Sequence, residues 1–236
     1  MADPLLQVDM LEAGYGQSTV LDSLSFSMGI ESVAIIGRNG MGKTTLCKVI
    51  MGLIRPTRGS VVFDGQNLTR ISPEKVARAG VGYVPQGRRL FPSLTVDEHL
   101  RMLSSRTNGK RWNAETVYEL FPRLAARRQS RAGLLSGGEQ QMLAVGRTLM
   151  LNSRLIMMDE PSEGLAPTIV ETLIAAVHTL VAEGVAVLAV EQNIHAATAM
   201  ANRQLAMVSG RIEAELTADQ IRDNPTLQRR YLGVDA

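Results

Sequence analysis

Gly37-Arg38-Asn39-Gly40-Met41-Gly42-Lys43-Thr44-Thr45 has the residue types and spacing of a phosphate-binding loop. Its glycines let successive backbone N–H groups converge on phosphate oxygens, and a helix starting at Lys43 adds its positive end. Lys43 supplies a point charge to β and γ phosphates, and Thr44 offers a hydroxyl to Mg²⁺. Downstream, the apolar run Leu155–Met158 ends in Asp159-Glu160. Two carboxylates closing a buried strand are costly without a use. The pattern sends Asp159 to a metal ion and Glu160 to an attacking water. A third string, Leu135-Ser136-Gly137-Gly138-Glu139-Gln140, reads as a capping box between Ser136 and Glu139. That helix start, with a hydroxyl and two glycine amides, is equally a receptor for a γ-phosphate. The first two motifs fix nucleotide hydrolysis or transfer, without fixing the biological task.

The surrounding patterns must place these groups. Leu5–Tyr15 and Thr19–Met28 alternate apolar and polar residues, predicting two antiparallel strands. Val33–Ile36 is continuously apolar, and helical spacing resumes over Lys43–Ile54, so the phosphate loop lies between strand and helix. Val61–Phe63 and Val81–Val84 read as short strands, joined by a helix capped at Ser72-Pro73. Thr95-x-x-Glu98 is a capping box, and helical spacing follows through Leu103, Val117, Leu120 and Leu124. After Ser136 we expect a helix to Met150, a strand at Leu155–Met158, a helix at Pro167–Ala182 ended by Gly184, and a strand at Val185–Val190. A hairpin around Gly210-Arg211 and helical turns near Asp219 and Pro225 close the chain. The expected fold is α/β, a P-loop NTPase with an antiparallel β part at residues 1–32, an α/β core at 33–86 and 136–236, and an inserted helical subdomain at 87–135.

Twenty-five basic against 23 acidic residues leave a net charge of +2 over 236 residues, too balanced for a surface built to neutralise nucleic acid. Residues 101–131 alone carry eight basic side chains, Arg106 and Lys110 among them, against Glu115 and Glu119. A single cysteine, Cys47, excludes an internal disulfide and fits a reducing compartment; we expect it in the core. No run reaches the ~18 apolar residues of a membrane span, and the N-terminus lacks a signal-peptide pattern.

Phosphate loop, acidic strand end and Leu-Ser-Gly-Gly-Glu-Gln together resemble the ATP-binding cassette family over nearly the whole chain. The resemblance implies ATP and Mg²⁺ as ligands. It assigns Tyr15 to stacking on adenine, Gln86 to reaching Mg²⁺ and coupling to membrane subunits, and Ser136–Gln140 to the nucleotide held by a second subunit. The implied partners are that second ATPase, like or unlike, two transmembrane permeases and, indirectly, a solute-binding protein. The implied location is peripheral, on the cytoplasmic face of the cell membrane.

Two positions depart from the family pattern. Glu191-Gln192-Asn193 stands where a switch histidine is usual, which puts the uncharged Gln192 at the γ-phosphate and assigns His195 to a packed or solvent-facing position. Ser162-Glu163-Gly164-Leu165-Ala166-Pro167 lacks the aspartate common after this leucine. With Pro-Gln-Gly-Arg-Arg-Leu-Phe-Pro-Ser-Leu-Thr-Val, these strings resemble the LivF-type ATPases of branched-chain amino-acid importers. Urea and amide importers share most of them, and a lipopolysaccharide-export ATPase shares Glu-Gly-Leu-Ala-Pro. A soluble cassette ATPase acting on nucleic acid or ribosomes is the rival from another class. Its only support is the basic insert; one cassette without sustained heptads opposes it.

Overall fold

A computed structural model describes residues 3–102 and 111–233. Leu103, Arg106 and Lys110 of the predicted basic insert lie outside the described residues. Two sheets organise the chain. The first is antiparallel, in the order β2-β1-β4-β5, from β1 (Leu6–Tyr15), β2 (Ser18–Met28), β4 (Arg58–Phe63) and β5 (Gln66–Asn67). The second runs β10-β9-β3-β8-β7-β6, from β3 (Ser32–Ile36), β6 (Val81–Val84), β7 (Leu155–Asp159), β8 (Ala186–Glu191), β9 (Arg203–Val208) and β10 (Arg211–Thr217). It is parallel from β9 to β6, and β10 returns antiparallel at the edge. The antiparallel layer therefore draws on residues 58–67 as well as the first 32. The sequence division at residue 33 missed this because β4 and β5 follow the phosphate loop in the chain and yet pair back onto β1.

The parallel strands are apolar throughout because both faces are covered. In β7, Ile156 and Met158 enter the layer formed by α6 (Gly137–Leu149) and α7 (Pro167–Ala182), whereas Leu155 and Met157 enter the layer with α1 (Lys43–Ile50) and the antiparallel sheet. α8 (Ile194–Met200), α9 (Ala218–Arg222) and α10 (Pro225–Leu232) pack on Ala34, Ile36 and Ala206. The insert comprises α3 (Val96–Arg101), α4 (Ala114–Leu120) and α5 (Pro122–Ala125), which bury Leu100, Val117, Phe121 and Leu124 with α6. Helix α2 (Pro73–Ala79) leads into β6.

Three local expectations shift. Helix α1 ends at Ile50 rather than Ile54, because Gly52 turns left-handed at φ 71° and Leu53 N–H bonds back to the Lys48 carbonyl. β8 starts and ends one residue later than expected, which carries Glu191 into the sheet as its last residue. Ser72 stands at the N-cap of α2 without a side-chain capping bond. Several of the insert's cations are locally neutralised: Arg101 pairs with Asp97, Arg111 with Glu183, Arg127 with Glu139 and Arg128 with Glu115. Among the described residues, no helix is long and apolar enough to cross a membrane.

Candidate nucleotide site

The phosphate loop leaves β3 at Gly37, where a Cβ would lie 2.6 Å from the Met207 carbonyl oxygen, so the close approach of β9 requires glycine. Gly42 enters α1 at φ 104°, which also favours glycine. The β9–β10 turn braces the loop: Gly210 N–H donates to the Met41 carbonyl at 3.0 Å. Lys43 is 4% exposed, and its Nζ donates to the carbonyls of Gly37 at 2.6 Å and Arg38 at 3.1 Å. Glu160 Oε1 lies 3.5 Å from the same ammonium. The Arg38 side chain turns away from the loop, donating to the Arg229 carbonyl of α10 at 2.9 Å. Cys47 is buried beneath the loop, and burial, with the Asp159 charge, pushes its thiol well up, which makes it an inert core residue.

β7 delivers the two acids. Asp159 Oδ1 accepts the Thr44 hydroxyl at 3.0 Å and Oδ2 accepts the Tyr83 hydroxyl at 3.0 Å. Burial pushes the Asp159 carboxyl above its ordinary value, against the pull of Tyr83, Thr44 and Lys43. Burial likewise pushes the Tyr83 phenol far above its usual range, so it stays a donor. Glu160 sits at φ 50°, a left-handed conformation that costs a non-glycine residue about 1–3 kcal/mol and that clusters at functional sites. Its N–H donates to the Val190 carbonyl at 2.8 Å. Gln86 Nε2 donates to Glu160 Oε2 at 3.2 Å and to Glu163 Oε2 at 2.8 Å.

Of these groups Lys43, Thr44, Gln86, Glu160 and Glu163 open on one cleft of ≈ 430 Å³, lined also by Asn39, Gly40, Gly42 and Thr45, with the half-exposed Tyr15 at its edge; Asp159 is buried behind Thr44. An adjoining cavity of ≈ 570 Å³ shares Asn39, Glu160 and Glu163, and Gln192 lines it beside Ser162 and Glu191. His195 also lines this cavity, but its ring is 69% exposed and Nε2 lies 2.9 Å from Glu171 Oε1.

Ser136 to Gln140 line neither cavity. The expected capping box is present: Glu139 N–H donates to Ser136 Oγ at 3.3 Å and Ser136 N–H to Glu139 Oε2 at 2.7 Å. Burial pushes Glu139 up, but the Ser136 hydrogen bonds and the Arg127 charge outweigh it and hold the carboxyl below its ordinary value. Gly138 is required because a Cβ would meet Ile169 at 2.7 Å. Arg88 covers Gly137 and donates to Gln140 Oε1 at 3.2 Å, so the segment after Gln86 touches the start of α6.

Sequence reasoning missed Tyr83, Glu163, Arg88 and Glu191. Tyr83 had a signal: a phenol on a buried strand needs a polar partner. Glu191 had one too, as a carboxylate ending an apolar run. The contacts of Arg88 and Glu163 come from loops that spacing does not place.

The family profile described as ABC transporter matches residues 21–163. This chain belongs to that family. The cassette is 39% identical, over 97% of its length and 100% of the relative, to the high-affinity branched-chain amino acid transport ATP-binding protein BraG of Pseudomonas aeruginosa. It is 30% identical, over 98% of its length and 99% of the relative, to the probable branched-chain amino acid transport ATP-binding protein LivF of Archaeoglobus fulgidus. Its backbone resembles the crystal structure of a nucleotide-free ATP-binding cassette from an ABC transporter, with a TM-score of 0.82 and 26% identity over 95% of this chain and 97% of that one. The cassette is an ATPase of the transporter type, with the fold expected from its sequence.

Proposed function

We propose that the cassette is the ATP-hydrolysing subunit of an importer for branched-chain amino acids, bound peripherally to permeases at the cytoplasmic face of the membrane and working as a dimer of cassettes. The observation that carries this reading is the 39% identity to BraG across both chains. The urea and amide reading rests on the same short strings.

On this reading the phosphate loop binds the triphosphate through its N–H groups and Lys43, and Tyr15 stacks on the adenine. The residues also fit Mg²⁺, which takes oxygen ligands from one or two carboxylates and substrate phosphates rather than from an all-protein cage. The Thr44 hydroxyl already meets Asp159 across 115 residues of chain, and with the Gln86 amide oxygen they would hold the ion. When bound, Mg²⁺ would neutralise charge on the β and γ phosphates. Glu160 accepts a proton from the attacking water, and its contact with Gln86 orients the carboxylate. Gln192 donates to the γ-phosphate as a neutral group. Ser136–Gln140, which line neither cavity of their own chain, would serve the nucleotide of a second cassette, which makes the dimer a requirement of the reading. The exposed Phe91 and Leu134 beside the Gln86 segment offer apolar surface to the permeases.

The test is purification through a tag on this chain from its native cell. Co-purifying permeases and ATP turnover stimulated by a leucine-loaded binding protein are expected. Stimulation by a urea-binding partner alone would move the assignment to that importer class, and recovery with ribosomes or nucleic acid would remove the transporter reading.

A further inference from the structure

We propose that Glu191 is a positioning residue that ties the loop after β7, carrying Glu160 to Leu165, to the loop after β8, carrying Gln192, so that both meet the phosphate as one body. The observation is a carboxylate that is 2% exposed and fully engaged. Oε1 accepts the Ser162 N–H at 2.9 Å; Oε2 accepts the Ser162 hydroxyl at 2.9 Å and the Asn193 N–H at 3.4 Å. All three donors belong to the two loops. Among the described residues, no cation forms an ion pair with this carboxylate. A buried charge without a counter-ion is expensive, and an apolar residue would continue the run Ala186–Val190 at no such cost.

What the carboxylate accomplishes is a join. One residue earlier, Val190 already holds Glu160 through its carbonyl, and one residue later Gln192 lines the same cavity as Glu160 and Ser162. With Ser162 fastened to Glu191, a displacement of either loop displaces the other. The phosphate loop meets this join through the Lys43–Glu160 ion pair, and its own fastening is separate: Lys43 and Thr44 bond to Gly37, Arg38 and Asp159. Loss of Glu191 should therefore weaken hydrolysis and leave nucleotide binding in place. This inference rests on the ATPase reading of the site, so it is tested with one readout that needs turnover and one that does not.

The first readout is ATP turnover of the complex purified with its membrane partners, set against the affinity of the same complex for MgADP. Glu191→Ala should lower kcat by about tenfold or more, since small misplacements of reacting groups are costly, while MgADP affinity stays within about twofold. Glu191→Gln keeps an acceptor for the Ser162 N–H and gives the Ser162 hydroxyl an amide donor, giving up only the long 3.4 Å contact with the Asn193 N–H, so it should restore kcat to within about threefold of wild type. Ser162→Ala should fall between them, and adding it to Glu191→Ala should cost less than the product of the single effects. Where Glu191→Ala does not fold, Ser162→Ala and Glu191→Gln carry the comparison. The second readout is amide hydrogen exchange of the isolated chain. Glu191→Ala or Ser162→Ala should deprotect residues 160–165 and 192–194 together, and Glu191→Gln should not. Wild-type kcat in both truncations, equal losses of kcat and MgADP affinity, or deprotection of one loop alone would overturn the proposal. A wild-type complex that fails to turn over ATP would count against the ATPase reading and leave the exchange result to decide the join.

Discussion

The Thr44 hydroxyl donates to Asp159 Oδ1 at 3.0 Å, fastening the start of α1 to the end of β7. The other oxygen of Asp159 is held by the Tyr83 hydroxyl. Groups that orient a metal-ligating carboxylate typically change metal affinity 10–100-fold when removed. With the Mg²⁺-ligand role proposed for Asp159, Tyr83→Phe should raise the Mg²⁺ concentration for half-maximal binding of a fluorescent ATP analogue by roughly tenfold, leaving Mg²⁺-free binding unchanged. An unaltered Mg²⁺ titration would show that Tyr83 only packs.

Lys43 and Glu160 face each other in the cleft, yet with the roles proposed for them their substitutions should separate binding from chemistry. Lys43→Ala removes the charge meant for the phosphates and strips the Gly37 and Arg38 carbonyls of their donor, so ATP binding should be lost. Glu160→Gln keeps the shape and loses the base, so ATP should still bind while turnover falls by about 10²-fold or more. Equilibrium binding and single-turnover hydrolysis by the assembled complex distinguish these outcomes; full turnover by Glu160→Gln would remove its role.

Ser136 does two jobs on the proposed reading, capping α6 and receiving the partner's γ-phosphate. Ser136→Arg should abolish ATP-driven association of cassettes and spare ADP binding, because the phosphate loop lies in a different cleft. Loss of the cap alone costs about 1 kcal/mol and should appear only as a modest fall in melting temperature. Unchanged dimerisation by sedimentation would reduce the motif to a helix cap.

What the sequence disclosed followed from local rules. The phosphate loop, the acidic strand end and the capping boxes at Thr95 and Ser136 each depend on residues within one turn or one strand end, and each formed where expected. The joins between segments were hidden. β4 pairs with β1 across the phosphate loop, Tyr83 reaches Asp159 from a neighbouring strand, and Glu191 reaches Ser162 from the next. Such contacts depend on strand order, which no periodicity encodes. Arg38 is the converse case: its place in the loop pointed to phosphate, and its side chain docks α10.

Gln192 is half-buried on the cavity it shares with Glu160, whereas His195 is exposed and paired with Glu171. Gln192→Ala should slow hydrolysis about tenfold or more, since a hydrogen bond to a charged group is worth roughly 1.5–3 kcal/mol. His195→Ala should stay within about twofold, the scale of a lost exposed pair. Gln192→His should retain activity and add a pH dependence near neutrality, because an imidazole changes charge there and an amide does not. Single-turnover rates across pH decide it: a collapse confined to His195→Ala would transfer the phosphate contact to that residue.

Stability should carry the signature of Glu191. Burial pushes its carboxyl up to about 7, against hydrogen bonds from Ser162 and the following amides. Folding therefore favours the protonated form. Below the ordinary carboxylate range the folded and unfolded chains are both protonated and no penalty applies. As pH rises from about 4.5 towards 7, the unfolded chain releases this proton first and the folded state loses stability relative to it. Above the folded value the penalty is complete and flat. Glu160, Glu163 and His195 line the same cavity in both proteins compared, so their contributions largely cancel in a difference. Urea denaturation of wild type and Glu191→Gln at pH 5 and pH 8 should show wild type losing on the order of 1–3 kcal/mol relative to the variant across that interval. A difference independent of pH would mean that the Glu191 carboxyl is ionised throughout, held by its three donors despite its burial.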